Sequence, residues 1–176
     1  MLQTGYYKII TGLLFTTIHI NLAGLEIFPN FFGIFIIAWG CYELAKAEEK
    51  TLFYKIFLIA IGTGIYAIPA ELFQGYGSIS TALDIVYTLL YYAICCLIIF
   101  ESVRLLQKHK AEREAANMKQ QLKIYVIMAV LVAIFRIAVH FSTSLFWSAQ
   151  LISIALVLYT LYMIMMVLKV VVFFKE

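Results

Sequence analysis

Apolar residues in this chain come in long blocks, and the blocks can be counted. A helix that crosses a ~30 Å hydrocarbon layer at 1.5 Å rise per residue needs about 20 mostly apolar residues. Six blocks approach that length: Tyr6–Ala23, Asn30–Leu44, Leu52–Pro69, Ser80–Phe100, Leu122–Phe141 and Leu145–Phe173. The second is short as delimited and extends naturally to Ala47. The first carries His19 and Asn21 near its end, and the sixth is long enough to tilt or to leave the bilayer. The expected fold class is all-α: a polytopic membrane helical bundle of six transmembrane helices arranged as three hairpins.

Composition agrees with the blocks. Of 176 residues, 64% are apolar and 13% charged, with a mean hydropathy of +0.96, where a soluble domain carries about 45–50% and roughly 25%. No polar stretch is long enough to fold separately, so residues 1–176 are expected to form a single transmembrane domain. Lys8 alone precedes a short apolar run with no small-residue cleavage site behind it, so no signal peptide is expected.

The net charge of +3 matters less than its placement. Twelve of the thirteen Lys and Arg fall on one side of the six-span scheme. Lys8 stands near the first span, Lys46, Lys50 and Lys55 between the second and third, six more between the fourth and fifth, and Lys169 and Lys175 at the end. The opposite loops, around 22–30, 70–80 and 142–144, have none. Cytoplasmic loops carry the excess of Lys and Arg, so both termini are expected in the cytoplasm. Tyr6, Tyr7, Trp39, Tyr42, Tyr54 and Tyr125 then form an inner aromatic belt, with Tyr66, Phe73, Tyr76 and Trp147 towards the outside. The partner this surface implies is a lipid bilayer; nothing points to nucleic acid.

Breakers are uneven. All nine Gly and both Pro lie in the first 77 residues. Spans one to three can therefore bend and pack closely through Gly33, Gly40, Gly62 and Gly64, while spans four to six should be stiffer. The stretch 101–123, "ESVRLLQKHKAEREAANMKQQLK", has strong helix formers and no turn signal before Asn117. Span four is therefore expected to continue into the cytoplasm as a helix. That segment is either a solvated connector, the usual meaning of a charge run, or a docking arm for another membrane protein. "KIITGLLF" (8–15), "KIFLIAIG" (55–62) and "KIYVIMAV" (123–130) give a faint threefold pattern, each opening an outward-going span with Lys-Ile, as in repeat-built transporters.

The first outer turn, within "INLAGLEIFPNFFGIFIIAWG" (20–40), resembles a segment of small uncharacterised polytopic membrane proteins of low-GC Gram-positive bacteria. Their turn reads approximately I-D-[LI]-L-P-D-F-I-G-Y. Glu26 takes the place of the first Asp, while Pro29, Phe31 and Gly33 match as they stand. Asn30 replaces the second Asp and Ile34 the Tyr, so a role needing two carboxylates there lacks one. The resemblance covers about 15 residues and implies a multi-pass protein of a bacterial cell membrane, with no activity attached. Independently of it, Pro29 suits a helix start, where its missing N–H costs nothing.

Candidate chemistry gathers in the outer leaflet: His19, Glu26, Glu71, Asp84, Arg136 and His140. Glu26 and Asp84 fall near outward helix N-termini, where an acid gains ~0.3–1 kcal/mol from the dipole. Glu71 follows Pro69 at the C-terminal end of its span, where the dipole opposes an anion; it needs a cation or water. Arg136 is the costly residue, since an Arg at the bilayer centre loses at least ~2.5–3.5 kcal/mol on insertion scales. It sits about five residues from its span's end and shares a helix face with His140. An inward-facing Arg136 paired with Glu71 or Asp84 is expected, either as a structural ion-pair network or as a site for an unidentified small solute or ion. Cys41, Cys95 and Cys96 fit no C-x-x-C or zinc spacing and read as packing residues. No metal or other cofactor is implied, and His109 reads as solvated. No H-E-x-x-H, G-x-S-x-G or P-loop motif occurs, so an enzyme is not expected. A small transporter or membrane-embedded solute-binding subunit fits these features first. An accessory or sensor protein that contacts another membrane protein through 101–123 fits second, and an intramembrane enzyme has no visible constellation.

Overall fold

A computed structural model of the protein describes residues 2–17, 21–22, 25–26, 29–48, 51–72, 77–139 and 146–174. Six helices follow in order: α1 (Leu2–Thr17), α2 (Asn30–Ala47), α3 (Phe53–Leu72), α4 (Gly77–Lys108), α5 (Glu112–Val139) and α6 (Phe146–Phe173). Two-residue strands, β1 (Asn21–Leu22) and β2 (Leu25–Glu26), pair antiparallel between α1 and α2. Four helices, α3 to α6, contain segments long and apolar enough to cross a membrane. The other two stay outside that set for simple reasons. The 16 residues of α1 span about 24 Å, and the 18 of α2 include Asn30, Glu43 and Lys46. Helix α1 also starts and stops earlier than the block Tyr6–Ala23, because its polar first turn is helical and the chain beyond Thr17 enters the β-ladder.

The helices form two compact units, residues 1–75 with 164–176, and residues 76–163. In the first unit α1 and α2 run antiparallel with paired glycines at their contact. A Cβ on Gly12 would lie 2.6 Å from the Gly33 carbonyl oxygen, and one on Gly40 2.6 Å from that of Gly5. Gly5 and Gly12, like Gly33 and Gly40, are seven residues apart, so the pairs recur every two turns on one face. Backbones this close leave room for no side chain, and Ile9 and Ile37 fill the interval with no exposed surface. Gly64 of α3 receives the Phe35 ring of α2, at 2.8 Å from a built Cβ. Gly62, expected to pack in the same way, has nothing within 4 Å of its Cβ position and faces outward. Tyr6 stacks on Phe174 and meets Phe53 edge-on, and the Gln3 side-chain amide donates to the Phe174 carbonyl at 3.1 Å.

The second unit is built from long helices. At 32 residues, α4 runs well past Phe100, as the charged stretch predicts. The chain reverses at His109–Lys110, however, not at Asn117, which lies inside α5. Lys110 takes φ 61°, its N–H bonds to the Gln107 carbonyl and the Ala111 N–H to the Leu106 carbonyl. These two bonds are the Schellman closure of a helix. A lysine occupies the left-handed position usually given to glycine, which is why the sequence carries no turn signal there. Ala111 then starts α5, with Glu112 and Glu114 in its first turn on the favourable end of the dipole. On the membrane part of α5, Ile124, Ile127, Val130, Ile134 and Ile137 are exposed. An apolar face of that extent is one a lipid phase covers.

Candidate functional site

The six residues expected in the outer leaflet fare differently. His19 and His140 lie outside the described residues. Glu26 is in β2, opposite Asn21, and Arg136 is in α5; the side chains of both lie outside the description, and with them the expected ion pair of Arg136. Asp84 is exposed on α4. That helix begins at Gly77, so Asp84 is its eighth residue and sits beyond the first turn, where the dipole acts. The helix-end explanation offered for Asp84 therefore fails.

Glu71 has a partner that the sequence did not suggest. Its Oε1 accepts the backbone N–H of Asn30 at 2.6 Å. Asn30 is the first residue of α2, preceded by Pro29, which supplies no side-chain cap. The carboxylate at the end of α3 thus caps the start of α2, and the positive end of one helix offsets the negative end of the other. The carboxylate joins α2 and α3 at the turn that precedes Phe31 and Gly33.

Charges deeper in the chain are also answered. Lys8, counted above as a boundary cation, forms an ion pair with Glu43 and lies 3.4 Å from the centroid of the Trp39 ring. Glu43 and Trp39 are one turn apart on α2, so this cluster fixes the register of the glycine-paired hairpin. The three Lys-Ile motifs consequently differ in setting: Lys8 is paired inside the first unit, while Lys55 and Lys123 are exposed. Glu101, read as the beginning of a solvated run, is 2% exposed, with Arg104 Nη1 at 3.2 Å from its carboxylate.

A row of tyrosines that sequence reasoning missed runs through the second unit, from the buried Tyr91 and Tyr125 to the exposed Tyr162. Tyr87, Tyr91 and Tyr92 of α4, Tyr125 of α5, and Tyr159 and Tyr162 of α6 form one continuous chain of ring contacts, with centroids 5.6–6.5 Å apart. Tyr125 stands at its centre, edge-on to Tyr92 and stacked on Tyr159, and is 0% exposed. This corrects its expected place in the aromatic belt, and Tyr6, likewise 0% exposed, is corrected with it. Tyr7, Trp39 and Tyr54 are exposed, as a belt requires. Tyr91, Cys95 and Thr160 are the polar neighbours of the Tyr125 hydroxyl; Cys95 and Thr160 are near enough to interact with it, but no contact reaches full hydrogen-bond geometry. The Thr160 hydroxyl donates to the Leu156 carbonyl at 2.9 Å, so towards Tyr125 it can act only as an acceptor. On the flank, the Tyr159 hydroxyl bonds to the side chain and backbone carbonyl of Gln121. An unsatisfied buried hydroxyl costs about 1–3 kcal/mol. Tyrosines are usual at membrane interfaces, so their number alone does not reveal that several turn inward.

Among the described residues no three His, Cys, Asp or Glu are grouped to hold a metal ion. Cys41 and Cys95 are buried and Cys96 is half-buried; all three are free thiols. No protein-family model, curated protein or solved structure matches the chain.

Proposed function

We propose that this protein is a six-crossing, multi-pass protein of a bacterial cell membrane with both termini in the cytoplasm. In this reading it acts without catalysis, as a small transporter or membrane-embedded solute-binding subunit. The candidate ligand groups are Glu71, Glu26 and His19 of the first unit and, separately, Arg136, His140 and Asp84 of the second, whose interior between α4, α5 and α6 is lined by hydroxyls. The observation that carries the reading is Tyr125: a fully buried phenol whose hydroxyl, beside Thr160, Tyr91 and Cys95, closes no hydrogen bond of full geometry. A bundle that only scaffolds gains nothing from leaving a hydroxyl unsatisfied, whereas a bundle that handles solute needs hydrogen-bonding capacity in its interior. The short α1 and α2 cross by local thinning of the bilayer, at fractions of a kcal/mol per Å. The likeness of the first outer turn to proteins of low-GC Gram-positive bacteria supports the location.

The test is a thermal-unfolding screen of the detergent-purified protein against small solutes. A class of solutes that raises the midpoint of the wild type, but not that of Tyr125→Phe or Arg136→Leu, is the expected result. Equal responses of all three forms to every solute contradict the proposal. A second reading, an accessory or sensor protein docking through 101–123, draws support from the ordered helical hairpin at that segment. A membrane protein that co-purifies in fixed ratio, and is lost when the hairpin is shortened, would favour it.

A further inference from the structure

The exposed surface of the α4–α5 hairpin changes character within one helical turn on both of its helices. On α4 the exposed Phe100 is followed by the exposed Arg104; on α5 the exposed Lys119 and Lys123 are followed at once by the exposed Ile124 and Ile127. Both helices of the hairpin thus pass from apolar to basic towards the turn at Lys110, six to ten residues from it on α4 and nine to thirteen on α5. Arg104 lies four residues from Phe100, and Lys119 four from Lys123, or about 6 Å at helical rise. The headgroup layer on each side of a bilayer is roughly 5–7 Å deep, from ~30 Å of core within ~40–45 Å of total thickness. Measured from the turn at Lys110, Arg104 is six residues down α4 and Lys119 and Lys123 are nine and thirteen down α5, a spread of about 10 Å at helical rise, and the long Lys123 side chain reaches from the deepest of these levels into the phosphate layer that holds the other two. Lys110 and Arg113 at the hairpin tip stand farther out: Arg113 is six residues from Lys119, or about 9 Å, a separation of about one Debye length. The exposed acids Glu112 and Glu114 are also at the tip; at the base the one carboxylate among the described residues is the buried Glu101, which takes one guanidinium nitrogen of Arg104 at 3.2 Å and leaves the exposed side of that guanidinium, Lys119 and Lys123 facing outward.

We propose that Arg104, Lys119 and Lys123 form a binding surface for the phosphates of anionic phospholipids in the leaflet from which the hairpin emerges. The proposal rests on the membrane-spanning reading above and goes beyond it in assigning a lipid class to three residues. Charge complementarity and depth select lipid over a soluble acidic partner, which the more distant tip would meet first.

The test measures the selectivity of the reconstituted full-length protein for spin-labelled phosphatidylglycerol over spin-labelled phosphatidylcholine in mixed vesicles. Three proteins are compared: wild type, a base variant (Arg104→Gln, Lys119→Gln, Lys123→Gln) and a tip variant (Lys108→Gln, Lys110→Gln, Arg113→Gln). The wild type should prefer the anionic lipid severalfold, with the preference falling at 1 M salt, where the screening length is about 3 Å. The base variant should lose most of the preference and the tip variant should keep it. Absence of a preference in the wild type, or its survival in the base variant, overturns the proposal. Loss in the tip variant alone also overturns it and moves the lipid contact from the base of the hairpin to its tip. Labelling of a Lys110→Cys protein in oriented vesicles by an impermeant thiol reagent tests the topology separately. Failure there removes the cytoplasmic placement of the hairpin in the reading above, while failure of lipid selectivity with correct labelling removes only this inference.

Discussion

The two units of this chain solve the same problem in opposite ways. The first, built on α1 to α3, brings backbones together through glycine and answers its charges within itself: Lys8 with Glu43 and Trp39, Glu71 with the start of α2. The second has no glycine after Gly77 and holds its helices apart with tyrosine rings, leaving a hydroxyl unanswered at its centre. Close approach through small residues maximises van der Waals contact and favours rigidity. Spacing by large amphipathic rings leaves hydrogen-bonding capacity inside a lipid-embedded bundle, which is costly unless used.

The largest expected effect concerns the glycine frame. Gly12→Ala should destabilise the protein by about 2–3 kcal/mol in a detergent-unfolding titration, since overpacking against backbone cannot be relieved by a side-chain rotation. Gly62→Ala, on the outward face of α3, should stabilise by up to ~1 kcal/mol through helix propensity alone. Equal effects at the two positions would mean that the paired glycines do not set the α1–α2 distance. A smaller effect is expected at the hairpin tip of the second unit. Lys110→Gly should raise stability by about 0.5–1 kcal/mol, because glycine adopts the left-handed conformation without the ~1–2 kcal/mol cost borne by other residues. Loss of stability there would argue against the Schellman closure.

How far the sequence reached follows from which forces are periodic. The apolar blocks locate α3, α4 and α6 closely, because a helix long enough to span a membrane must write itself as an uninterrupted run. The ends of α1 and the turn at Lys110 were not legible. The first depends on competition between helix and a two-residue ladder, the second on a lysine in a glycine's conformation. Glu71 was recognised as needing compensation, but its partner is a backbone amide 41 positions away, and no residue-type pattern marks a backbone donor. The burial of Tyr6 and Tyr125 was equally hidden, since rotation of a helix by one residue exchanges an interfacial ring for an interior one. Glu101 shows the same limit within a charged run.

The most direct test compares the two fully buried tyrosines, one from each unit. Tyr125→Phe removes a hydroxyl that closes no hydrogen bond of full geometry, while Tyr6→Phe removes one that is not among the unpartnered buried groups. If the second unit carries its unsatisfied hydroxyl for function, Tyr125→Phe should raise unfolding stability by about 1 kcal/mol and Tyr6→Phe should not. A Tyr125→Phe protein less stable than wild type would mean that the hydroxyl is already bonded within the fold, and the polar interior would lose its claim to be the working part of the molecule.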